Sequence, residues 1–293
     1  MIDWLAAPFA YEFMVRATLA ALLVGIVCPL IGCYVVVRGL AFFGDALSHS
    51  VSPGVVIASL IGASLLLGGL VAGVVVAMGI GLLARRTRLD DQTAIGVVFP
   101  VALAAGVALL AARPTFAADL THILFGSLLG VSAGDLGLTA VVAAIVVAAL
   151  VVLHRPLTAM TFDPVAARLQ GVPVEALHVA LLVLLALAIV IAIQTAGNLL
   201  VLSLLVTPAA TAWLVARSML AMVLVAPTLG VVASVGGVLL SFHLGVPIGP
   251  AVVLLAAAEF GAVAGVTHLV GHLRRRTARP LARCNVSEYD TPE

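Results

Sequence analysis

The chain has 293 residues, of which 63% are hydrophobic and only 9% charged, and its formal net charge is +1. That balance excludes a water-soluble domain, which needs far more polar surface over its core. The apolar runs are continuous and not alternating, which excludes a β-barrel; the expected fold is an all-α, polytopic helical membrane protein.

All 14 basic residues are Arg, and the chain holds no Lys. A Walker A loop needs a Lys on the nucleotide phosphates, so any ATP-driven work falls to a partner and this chain is not expected to be an enzyme. Cys28, Cys33 and Cys284 have no metal-type or redox-type spacing. They read as small hydrophobes or, for the last, a tail thiol. Residues 1–16 show no basic n-region or cleavage site, so no removable signal peptide is expected.

In chain order, residues 17–37 carry no charge and can cross a bilayer core of about 30 Å. The next stretch runs Gly44-Asp45-Ala46-Leu47-Ser48-His49-Ser50-Val51-Ser52-Pro53-Gly54. Between Arg38 and Arg85 its Asp45 is the single formal charge and His49 the single imidazole. On a helix the two stand at i and i+4, on one face and near enough to share a ligand. Ionisable groups in an apolar span are costly to keep, which marks them as functional. A carboxylate oxygen and an imidazole nitrogen are ligands for a divalent transition metal. Two structural readings stay open: Asp45 as a helix N-cap, and His49 bonded to Asp45 or to a neighbouring helix.

Residues 46–84 hold two spans, turning near Gly62-Ala63-Ser64 or Gly68-Gly69. Further spans are expected over 92–112, 136–153, 177–193, 197–216, 219–242 and 247–271, nine in all, with eight if the early hairpin fails. With nine spans and an external N-terminus, 12 of the 14 Arg fall on the cytoplasmic side and only Arg16 and Arg113 outside. This obeys the positive-inside rule and places the C-terminus inside.

Two connections are more than turns. Residues 113–134 form an external segment with an apolar piece too short to span, containing Asp119 and His122 at i and i+3. These are either a second metal contact or a capped, solvated face. Residues 154–176 form a cytoplasmic segment in which Asp163 as N-cap and Pro164 at the first helical position start a short helix, and Gly171 before Pro173 stops it. In the last span Glu259 stands alone among apolar residues, either as a lining of a permeation route or as a neutral, hydrogen-bonded acid.

The chain resembles the permease subunits of bacterial ABC importers for zinc, manganese, iron and related divalent metals. The resemblance covers roughly residues 10–270 and rests on segments in the same order. These are Arg38-Gly39-Leu40 leading into Gly44-Asp45-Ala46-Leu47-Ser48-His49 and Pro53-Gly54; Ile95-Gly96 with Phe99; Asp119-Leu120 with Phe125-Gly126; Phe162-Asp163-Pro164 with Gly171; and Leu205-Val206-Thr207-Pro208-Ala209-Ala210-Thr211-Ala212. The Gly-Asp-Ala-Leu-Ser-His segment is the most specific of them.

The resemblance implies a multi-pass protein of the bacterial cell membrane; the charge pattern divides the chain into a permease domain over 1–272 and a cytoplasmic tail over 273–293 expected to be disordered. It implies a homodimer in membrane lipid, cytoplasmic ABC ATPase subunits and an external metal-binding protein or lipoprotein as partners, and no nucleic acid. Asp45 and His49 would line the metal path between two copies. Phe162, Asp163, Pro164 and Gly171 would mark the coupling helix that docks on the ATPase. No cofactor is expected to be held permanently; the divalent metal is cargo. Two features depart from the pattern. Gly245-Val246 stand where relatives often carry an acidic residue before Pro247-Ile248-Gly249, and Glu259 is not part of the shared segments. The competing expectation is a stand-alone secondary transporter or channel using Asp45, His49 and Glu259 as a relay. Against it, no repeated half is visible. Two Asp and two His suit zinc, and manganese and ferrous iron accept such ligands too.

Overall fold

A computed structural model describes residues 7–87, 89–111 and 132–277. After a short 3-10 turn, twelve helices follow: α1 (Glu12–Val37), α2 (Ala41–Ser50), α3 (Ser52–Leu60), α4 (Leu65–Thr87), α5 (Asp91–Ala111), α6 (Ala133–Val152), α7 (His154–Phe162), α8 (Pro164–Leu169), α9 (Val174–Ala196), α10 (Asn198–Val215), α11 (Met219–Leu244) and α12 (Ile248–Thr277). Among the described residues there is no strand. The fold is an all-helical polytopic bundle, as the composition required.

Among the described residues seven helices are long and apolar enough to cross a membrane: α1, α4, α5, α6, α9, α11 and α12. α10 contributes a shorter apolar stretch, Leu200–Val215. The remaining expected span is the broken pair α2–α3, which starts at Ala41 and not at residue 46. The turn after it lies at Gly62, whereas Gly68 and Gly69 fall inside α4. Asp119, His122 and most of the 113–134 segment lie outside the described residues, as does the tail after Thr277.

α1 is the post of the bundle. It is apolar on every side, which is the pattern of a helix surrounded by others, and it packs against α6, α9, α10 and α11. Lipid tails are as apolar as Leu, so helices in a membrane gain most from close, well-fitted contact and not from leaving water. The small residues of α1 serve that contact. A Cβ added at Gly25 would meet the carbonyl oxygen of Gly230 on α11 at 2.8 Å, so the two backbones touch. α4 and α9 run antiparallel, with Gly73 facing Ala186 and Gly81 facing Leu182.

One end of the bundle gathers the polar ties between helices. There Tyr34 of α1 hydrogen-bonds His154 of α7 at 2.7 Å. At the same end Arg85 of α4 pairs with Glu175 of α9 at 2.8 Å. α7 and α8 cap this end, anchored by buried Leu157, Met160 and Ala167.

Candidate functional site

The break between α2 and α3 follows from Pro53. Its nitrogen has no hydrogen to offer the carbonyl of His49 four residues back, so the helical ladder stops there. The Ser52 hydroxyl donates to that carbonyl instead, at 2.9 Å. The result is a helix of only ten residues, Ala41–Ser50, set among longer ones.

α2 is two-faced. Phe43, Gly44, Ala46, Leu47 and Ser50 are buried. Gly44 lets that face approach α10 closely: a Cβ there would sit 2.8 Å from the end of the Leu205 side chain. The other face carries Phe42, 76% exposed, then Asp45 and His49 with side chains 52% and 35% exposed. Asp45 Oδ1 and His49 Nε2 are 3.8 Å apart, too far for a hydrogen bond. Two ligands on arms of about 2.1 Å in a tetrahedral site stand roughly 3.4 Å apart. A small rotamer adjustment therefore brings the pair to a metal's bite. The His49 ring also approaches Phe99 of α5, with ring centroids 6.3 Å apart.

The N-cap reading of Asp45 is excluded. The helix starts four residues earlier, with Leu40 at its N-cap position, and Asp45 sits mid-helix. The Ser48 hydroxyl donates to the Asp45 carbonyl at 2.7 Å. Among the described residues no group of three or more His, Cys, Asp and Glu is placed to hold a metal. Glu259 on α12 therefore does not join Asp45 and His49 within one chain; its Oε1 is buried with no hydrogen-bond partner among the described residues.

The second predicted element has its expected start and stop. Asp163 Oδ1 accepts from the amides of Val165 at 3.0 Å and Ala166 at 2.9 Å, satisfying two of the free amides at the start of α8. Pro164 occupies the first turn, where it gives up no helical bond. Gly171 ends the unit at φ +82°, a conformation costly for any side chain. Nothing in the local pattern announces α7, the extra helix in front. Phe162, Val165 and Leu169 are 60%, 65% and 86% exposed, an apolar strip on a segment outside the bundle. Phe162 also borders a pocket of about 170 Å³ with Trp213, Arg217 and Met222.

A cluster that sequence reading missed lies at the same end. Arg38 Nη2 is 3.1 Å from His178 Nδ1, and His178 Nε2 is 3.0 Å from Asp91 Oδ1. Burial pulls the Arg38 guanidinium below its ordinary value, and the Asp91 carboxylate pulls it back up. The available signal was positional: each of the three is at or near the end of an apolar run.

The chain matches the ABC 3 transport family over residues 10–265. It is 41% identical over 251 residues to the manganese transport system membrane protein MntC of Halalkalibacterium halodurans, covering 86% of each chain. It is 37% identical over 292 residues to the chelated iron transport system membrane protein YfeD of Yersinia pestis, covering 100% of this chain and 98% of the relative. Among solved structures it is similar to PsaBC from Streptococcus pneumoniae in complex with Fab, with a TM-score of 0.78 at 34% identity, over 90% of this chain and 95% of that one. The match spans the short α2, the α7–α8 segment and the whole post-and-bundle core, and it makes the chain a multi-pass membrane protein of the ABC 3 transport family.

Proposed function

We propose that the chain is the membrane-spanning permease of an ATP-driven importer of a divalent transition metal ion, working as a pair of identical copies. The observation that carries this reading is the half-site: one carboxylate and one imidazole on the exposed face of α2, with no third ligand among the described residues. Two copies facing each other supply two Asp45 and two His49. Four ligands from two chains make a site that opens when the chains part, which suits transit better than storage. Relatives named for manganese and iron transport favour those ions as cargo, and the donor set also accepts zinc.

The bundle end with α7 and α8 is the cytoplasmic one in this reading, since it holds Arg38, Arg85, Arg155, Arg168 and Arg217. The exposed strip of Phe162, Val165 and Leu169 docks on an ABC ATPase, which hydrolyses ATP in place of this Lys-free chain. An external metal-binding protein delivers the ion at the other end. Uptake falls in acid, because metal binding requires a deprotonated imidazole and an ionised carboxylate.

The test is co-purification of the chain with its ATPase, followed by reconstitution and measurement of ATP turnover with and without manganese. Manganese-dependent turnover with uptake is expected. Uptake in the absence of any ATPase would favour a stand-alone transporter and contradict the proposal.

A further inference from the structure

We propose that Arg38, His178 and Asp91 are positioning residues that carry movement of the α7–α8 segment to the two helices flanking the Asp45–His49 half-site. The inference rests on the permease reading above and adds residues that the metal path and the docking strip do not include.

Position is the first argument. Arg38 stands at the junction of α1 and α2, seven residues before Asp45. Asp91 opens α5, eight residues before Phe99, the ring that faces His49. Eight helical residues rise about 12 Å, so the cluster sits at the root of both helices that bear on the half-site. His178 lies in the second turn of α9, the helix that follows directly from α8 through Gln170 to Pro173. One imidazole thus holds the roots of α2 and α5 to the helix that the coupling-type segment leads into.

Chemistry is the second argument. A guanidinium has donors and no acceptor, so Arg38 Nη2 donates to His178 Nδ1 across 3.1 Å. Nδ1 must then carry its lone pair, which leaves Nε2 3.0 Å from the Asp91 carboxylate, at ion-pair distance but out of line for a hydrogen bond. Side-chain exposure is 15% at His178 and 25% at Asp91, so water competes weakly for these contacts. By contrast, the Arg85–Glu175 pair at the same end is 62% and 52% exposed, where an ion pair contributes little.

The third argument is that two donors of the cluster are unused: Arg38 Nη1 and His178 Nε2 are both buried with no hydrogen-bond partner among the described residues. A brace serving only one arrangement would satisfy both nitrogens. A guanidinium that keeps one buried donor open can exchange partners when α9 shifts, which is the two-state behaviour that transmission between sites needs. Such a link moves α2 and α5 together and so alters the spacing of the half-site from its partner copy.

The test uses the chain assembled with its ATPase in proteoliposomes, with manganese uptake and ATP turnover measured on the same preparation. His178→Ala is expected to lower manganese transported per ATP by about fivefold or more, the lower range of coupling effects, while ATP turnover continues without its response to manganese. His178→Gln, whose amide can accept from Arg38 and donate to Asp91, is expected to recover part of that ratio. Arg85→Ala is expected to leave it unchanged. If His178→Ala does not assemble, Asp91→Asn is read in its place, since it keeps the shape and removes the anion. Wild-type manganese per ATP in the assembled variant would overturn the inference, as would a parallel fall in uptake and turnover at constant ratio, which is the mark of a plain structural brace. A wild-type complex whose turnover ignores manganese would instead overturn the permease reading itself.

Discussion

The α2 stretch and the α7–α8 segment both centre on an aspartate at the surface of the chain, and the two aspartates do opposite things. Asp163 is locally complete: its carboxylate accepts two amides of the helix that it starts, at 3.0 and 2.9 Å. Asp45 is locally incomplete. It sits in mid-helix, more than half exposed and 3.8 Å from a histidine that it does not hydrogen-bond. A carboxylate that finishes its own neighbourhood is architecture. One left in mid-helix and exposed is, on the proposal above, half of a site completed from outside its own chain.

The largest effect is expected where the set of ligands is short. His49→Ala should lower metal uptake by at least about tenfold, since even indirect supports of a metal site cost that much when removed. Assembly with the ATPase should be unchanged, because His49 supplies no buried core volume. Radiolabelled manganese uptake, with the amount of assembled complex as control, measures both. Normal uptake would make the exposed face of α2 ordinary surface.

A smaller effect is expected from Gly171→Leu, which forces a branched side chain into φ +82° at a cost of roughly 1–2 kcal/mol. That strain should unseat the end of α8, weaken cross-linking of the segment to the ATPase and lower uptake severalfold. Unchanged cross-linking and uptake would reduce α8 to a connector.

Gly44→Val tests the buried face of the same helix. Its added side chain would meet Leu205, and overpacking of this kind costs about 1–3 kcal/mol. The expected outcome is a lower thermal unfolding midpoint in detergent, with manganese binding reduced only as far as the folded fraction falls. A fusion reporter gives the smallest perturbation: placed after Arg283 it should report the cytoplasm, and near residue 115 the exterior. The reverse result would invert the assignment of both regions.

How much of this was legible in the sequence depends on the range of each signal. α8 was readable because its start and stop lie within nine residues, Asp163 to Gly171, and act through local backbone chemistry. The long spans were readable because charge is absent from them. The break at Val51 needed the role of Pro53 to be weighed against a longer apolar run, and the sequence reading let the run prevail. Arg38, Asp91 and His178 are separated in turn by 53 and 87 residues along the chain, and nothing in a linear pattern says which polar residues at span ends will meet. The half-site was visible as a pair, but its exposure became visible only when Gly44 turned the opposite face toward α10.

The most direct measurement substitutes asparagine for each of the two aspartates and compares manganese uptake by the assembled complexes. Asn and Asp serve nearly equally as N-caps, so Asp163→Asn should transport close to the wild-type rate. Asp45→Asn keeps the size and helix position but loses the charged ligand, and its uptake should collapse. Wild-type uptake by Asp45→Asn would contradict the account of α2 as half of a metal site.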